Sequence, residues 1–200
     1  MSNDAPTTTS PIAVADPAPL GLAGFAMTTL FVSFGAANII TEAGAGTFVL
    51  GAALFYGGLA QLLAGMWEFK RGNTFGATAF SSFGAFWLTY WWIITHLAAG
   101  DVHQALGLFD LAWCFFTAYM TVAALRTSTA VLAVFVSLTL TFLFLGLGAL
   151  QAKVGETSPD TLTKVGGVIG IITAALAWYA SAATVINSTH KRDVLPTMPR

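Results

Sequence analysis

The residues able to do chemistry in this chain are few, and they stand in apolar surroundings. The amide Gln61, the hydroxyls Thr28, Ser81 and Ser82, and the acid Asp110 all fall inside long uncharged runs. A glutamine amide offers two N–H donors and each hydroxyl one, and no cation accompanies them. In a medium without bulk water, such groups need partners. One reading is interhelical hydrogen bonding, worth about 0.6 kcal/mol per pair. The other is a lined pathway that offers neutral donors to an anion and holds it weakly enough to release it. Spacing alone leaves both open. Asp110 differs, because a carboxylate inside a span costs several kcal/mol unless it is paired, hydrated or protonated. Proton coupling is its functional reading. A hydrated place near the outer mouth or a subunit contact is preferred, since a fixed negative charge repels an anion.

Other chemistries are disfavoured. The chain has no His-x-x-Glu-His pair, no Gly-x-Ser-x-Gly elbow and no phosphate-binding glycine loop. His96, His103 and His190 lie far apart at span ends or links, so neither a metal nor a cofactor is expected. A net charge of −1 gives no basic surface for nucleic acid. The single Cys114 has no partner for an internal disulfide and reads as a small buried filler.

The elements that must position these groups are membrane spans. The chain is 56% apolar and 8% charged, against about 25% charged in soluble domains. Asp16-Pro17-Ala18-Pro19 opens the first uncharged run. Two prolines so close fit only a helix start, with Asp16 as its cap. They form either a plain start or a rigid pathway entrance built from Asp16, Pro17 and Pro19. Six apolar stretches follow, at about 21–40, 47–67, 74–97, 105–125, 129–150 and 165–186. Each is near the roughly 20 residues that cross a bilayer as a helix. The third is rich in Phe, Trp and Tyr, as at a membrane interface. The expected fold is an all-α bundle of six transmembrane helices over residues 16–188. A disordered tail precedes it at 1–15 and a basic tail follows at 189–200. Six cations (Lys70, Arg71, Arg126, Lys191, Arg192, Arg200) would share the side of the termini, against Lys153 and Lys164 on the other. That bias places both termini in the cytoplasm.

Asp16-Pro17-Ala18-Pro19-Leu20-Gly21-Leu22 resembles the Asn-Pro-Ala-Pro-Leu-Gly-Leu signature of the acetate uptake transporter family, the YaaH/SatP succinate-acetate transporter proteins. The likeness continues through Gly24 to Thr29, Phe55 to Gln61, Glu68 to Gly76 and Thr78 to Thr89, and more weakly at Ser137-Leu138-Thr139. The resemblance implies uptake of acetate, and in some members succinate, across the cytoplasmic membrane by a homo-hexamer with a pathway through each protomer. It also implies an apolar constriction at Phe25, Phe83 and Leu138. Thr28, Gln61 and Ser82, with Tyr56 and Trp87 from the matching stretches, are then the candidate substrate contacts. Three departures stand out: Asp16 replaces Asn, Phe83 stands where the family often has Tyr, and Asp110 falls where an apolar residue is expected. The alternative is a non-transporting sensor or scaffold whose polar residues only join helices.

Overall fold

In the computed structural model, residues 14–42, 45–98, 102–152 and 159–198 are described. Residues 1–13 of the expected tail at 1–15, and Lys153 and Arg200 of the charge argument, lie outside them. Six helical rods follow one another. The first, α1, runs Ala18–Ala36. The second, α2, is α-helical over Ala45–Ala52, π-helical over Ala53–Ala60 and α-helical again over Gln61–Arg71. Then come α3 at Thr74–His96, α4 at Val102–Ala124, α5 at Thr129–Gln151 and α6 at Thr161–His190. Among the described residues, five rods are long and apolar enough to cross a bilayer: α1, α2, α4, α5 and α6. The remaining rod, α3, has the length at 23 residues, but it carries Trp, Tyr, Ser and Gly where the others carry aliphatic residues.

Local chemistry sets the ends. Asp16 accepts the Ala18 N–H at 3.0 Å, and Pro19 occupies the first turn of α1, where a missing N–H costs nothing. Gly72 ends α2 at φ 79°, a backbone geometry that glycine adopts freely. Asn73, Ser128 and Asp160 each accept a backbone N–H at the start of α3, α5 and α6. The expected polar loop at 68–73 is therefore shorter than its composition suggests. The helix runs on to Arg71, and only Gly72 and Asn73 turn the chain.

Each rod packs on its neighbour in sequence, and α6 returns to α1, so the bundle closes into a ring. The starts of α1, α3 and α5 gather with the ends of α2, α4 and α6 at one end, here the terminal end. The other is the mouth end. The closing contact needs small residues: a Cβ on Gly167 would meet the Ala36–Ala37 backbone, and one on Gly170 would strike Ser33. Helices α3 and α4 approach least closely, and ring pairs bridge them. Phe86 stacks on Phe109 at 5.1 Å, and Phe83 meets Trp113 at 5.6 Å and Phe116 at 5.5 Å.

The chain after α6 folds back across the terminal end. The Asn187 side chain bonds Val194 and Leu195, Tyr179 donates to the Pro196 carbonyl at 2.6 Å, and the Thr129 N–H donates to the Met198 carbonyl.

Candidate functional site

All six helices contribute to one cavity of about 670 Å³ that opens at the mouth end, a size typical of small-molecule sites. Its rim includes Glu42, His103, Pro159 and Asp160, and its inner end reaches Phe25, Phe86, Trp87 and Leu138. Among the described residues, no Lys or Arg lines it.

The constriction residues meet in the bundle interior. Phe25 and Phe83 face each other with ring centres 5.7 Å apart, and both are under 5% exposed, as is Leu138. Phe25 and Leu138 form part of the cavity floor, and Phe83 lies behind it. Around Phe83 stand Trp113, Phe116, Phe135 and Phe142, all with ring centres within 6.4 Å. A fully apolar plug of this kind excludes hydrated ions.

The expected polar contacts divide. Trp87 lines the cavity, and its indole Nε1–H is buried with no hydrogen-bond partner among the described residues. Thr28 does not face the cavity. Its hydroxyl donates to the Gly24 carbonyl at 2.9 Å and rests against Gly57, so it is spent at the α1–α2 contact. The next residue, Thr29, takes the expected place: it lines the cavity, is 5% exposed, and its Oγ1 has no partner among the described residues. The spacing Phe25, Thr29, Ser33 held that signal, since residues four apart share a helix face. Tyr56 and Ser82 are half-buried and lie off the cavity wall. Gln61 is 1% exposed and lies behind that wall, directly after the π-helical turn. Such turns often mark functional positions.

Asp110 lies about 12 Å along α4 from its mouth-end start, at 1.5 Å per residue. It is 9% exposed and lines the cavity. No hydrogen bond or ion pair reaches it from the described residues. Asp160 on the rim is different, because its carboxylate accepts from Leu162 N, Thr163 N and Thr163 Oγ1. Burial pushes its pKa up, but these hydrogen bonds outweigh that and hold it below the ordinary carboxylate range.

The expected entrance at Asp16, Pro17 and Pro19 lies at the opposite end. Asp16 pairs with Arg71 at the end of α2, and Ser181 of α6 donates to the Pro19 carbonyl at 2.7 Å. The histidines do not converge: His103 is on the rim, His96 stacks on Trp92, and His190 ends α6 at the terminal end. The sequence reading missed Glu68, placing it in a loop. It is fully buried, one oxygen accepting from Asn73 Nδ2 at 2.9 Å and the other unpartnered among the described residues.

A sequence profile of the GPR1/FUN34/yaaH family matches residues 3–199. The chain is 39% identical to "Acetate permease A" of Emericella nidulans over 91% of its own length and 65% of that protein's. It is 37% identical to "Succinate-acetate/proton symporter SatP" of Escherichia coli (strain K12), over 92% of this chain and 95% of that one. It thus spans less than two thirds of the first relative and nearly all of the second. The solved structure titled "Structure of the bacterial acetate channel SatP" superposes with a TM-score of 0.83 at 37% identity, covering 92% of this chain and 99% of the other.

Proposed function

Because the chain belongs to the GPR1/FUN34/yaaH family, a multi-pass membrane protein with transporters among its relatives, we propose that it carries acetate and related short carboxylates, succinate included, across the cell membrane. One observation carries this reading: two buried donors without partners among the described residues, Thr29 Oγ1–H and Trp87 Nε1–H, belong to a cavity wall that also holds the apolar Phe25 and Leu138. Acetate has the same two characters. Its carboxylate needs donors, and its methyl group tolerates an apolar surface. An unpaired buried donor costs about 1–3 kcal/mol, which an arriving carboxylate recovers. With no Lys or Arg among the described residues of the wall, the anion is held by neutral donors and can leave.

Phe25, Phe83 and Leu138 form the constriction that the anion passes when the plug loosens. Asp110, on the same cavity wall, is the acid at which a proton would join it. In its neutral form it adds a donor, whereas ionised it would repel the anion. Catalysis has no part in this reading. The homo-hexamer and the cytoplasmic termini implied by the resemblance and the charge bias belong to the same proposal.

The test is labelled-acetate uptake into proteoliposomes, corrected with empty liposomes for the leak of acetic acid. Wild type should take up acetate, with competition by propionate. Thr29→Ala and Trp87→Phe, each removing one donor, should lower uptake several-fold while the protein stays folded. Folded wild type that takes up no more than empty liposomes would leave a sensor or scaffold as the reading.

A further inference from the structure

Five buried side-chain atoms lack hydrogen-bond partners among the described residues, and four of them belong to the facing helices α2 and α3. They are Trp87 Nε1, Gln61 Oε1, Ser81 Oγ and Glu68 Oε1. The α2–α3 contact gives the order. Trp87 packs at Gly57, and Ser81 packs so tightly at Gly65 that a Cβ there would collide with its Oγ and backbone N. Gly76 sits against the Glu68 carboxyl, 2.8 Å from a Cβ placed on it. Along α2 the levels are therefore 57, 61, 65 and 68, steps of four, four and three residues that keep one helix face. Successive levels are about 4.5–6 Å apart along the helix axis. The seam starts at Trp87 on the cavity wall and ends about 16 Å away at Glu68, in the last turn of α2.

Static packing explains such a row poorly. A bundle that needed only apolar contact here could place Ala or Leu at 61, 68 and 81, without the cost of orphaned polar atoms. Buried polar atoms without protein partners are the groups that buried waters satisfy. The apolar plug of Phe25, Phe83 and Leu138 offers a proton no partner, while the seam runs from the cavity wall towards the terminal end. Glu68 is the one titratable side chain in the row. The groups facing it are Asn73, which donates to it, the glycine face of α3 at Gly76, and the charges of Asp16 and Arg71 at the terminal end.

We infer that the α2–α3 seam is a proton route separate from the carboxylate route, with Glu68 as the group that takes up and releases the proton at the terminal end. This rests on the carboxylate-transport reading and deepens it. The proton moves between Glu68 and the cavity through waters bridging Ser81 and Gln61, the anion passes the aromatic plug, and no bond to carbon changes. Glu68 is here a relay residue that does not touch substrate.

The experiment uses two assays on the full chain in proteoliposomes: equilibrium exchange of labelled acetate, with equal concentrations and pH on both sides, and accumulation driven by an imposed proton gradient, with internal pH read by a trapped dye. Glu68→Gln should retain exchange within about twofold and lose gradient-driven accumulation tenfold or more. Ser81→Ala, which leaves the acid in place, should slow accumulation and spare exchange. Glu68→Gln accumulating acetate as wild type does would overturn the inference. So would a folded wild type that exchanges acetate but ignores the gradient. If Glu68→Gln is not recovered folded, Ser81→Ala decides alone, and unchanged accumulation counts against the route. Wild type without any exchange would defeat the transport reading itself, a distinct result.

Discussion

The two ends of the bundle are built from the same six helices, yet among the described residues one holds a cavity and the other is filled. At the mouth end a cavity of about 670 Å³ reaches inwards to Phe25 and Leu138. At the terminal end Asp16 pairs with Arg71, Ser181 holds the Pro19 carbonyl, Glu68 holds Asn73, and the last residues fold back onto α6 and α5. The difference lies in what fills the space between rods. Towards the mouth, large rings bridge the loose α3–α4 seam and leave room beside them. Towards the terminal end, glycines bring α2 and α3 to backbone contact, and polar side chains tie the chain ends together.

Disturbing the plug between the halves should have the largest effect. Phe83→Ala removes a 3% exposed ring packed against five others, a loss of about 3–5 kcal/mol by analogy with core deletions. A large drop in melting temperature in detergent should accompany faster acetate flux with weaker size discrimination. An unchanged flux in folded protein would place the barrier elsewhere.

Next comes the contrast between tight and open glycines. Gly65→Ala puts a methyl group against the Ser81 backbone and should cost about 1–3 kcal/mol, whereas Gly35, with nothing within 4 Å of its Cβ direction, should accept Ala with little change. Paired melting curves check this. Equal losses at both sites would deny that the terminal half is the more closely packed.

A smaller effect belongs to Asp160 on the mouth rim. Asp160→Ala should cost about 1 kcal/mol as a lost helix cap. Its folded pKa is depressed, so the contribution is present above the ordinary carboxylate pKa and is lost as pH falls through the folded value. The melting-temperature gap between wild type and variant should be full at neutral pH and narrow below about pH 4. A gap that widens in acid would reverse the assignment.

The smallest effect is expected at the terminal ion pair. Its partners are 41% and 33% exposed, so Asp16→Asn should change stability by less than about 1 kcal/mol, and less still at high salt. Asn keeps the cap on Ala18, which makes the charge the only variable. A strongly altered uptake rate in this variant would show that the pair latches the terminal end.

Much of the fold was legible in the chain. The six rods match the expected spans within a few residues, because hydropathy, paired prolines and capping residues act locally. The candidate site was legible in part. Phe25, Phe83, Leu138 and Trp87, singled out through the family resemblance, lie in one core cluster. Thr28 and Thr29 exchanged places, and Glu68 was read as loop.

Those misses share a cause. Composition fixes that a helix crosses the bilayer, but its rotation about its own axis is set by contacts with other helices. The close approach of Gly24 to the Tyr56 carbonyl and of Gly57 to Thr28 turns Thr28 into the α1–α2 contact and leaves Thr29 on the cavity wall. The π-helical turn over Ala53–Ala60 shifts the register of everything after it, and with Gly76 opposite, it takes Glu68 into the interior. By itself the sequence determined the spans, their caps and the scarcity of charge, since each follows from residues near one another in the chain. The tertiary structure alone decided the closure of α6 on α1, the cavity at one end and the row of orphaned polar atoms, since each depends on which faces meet.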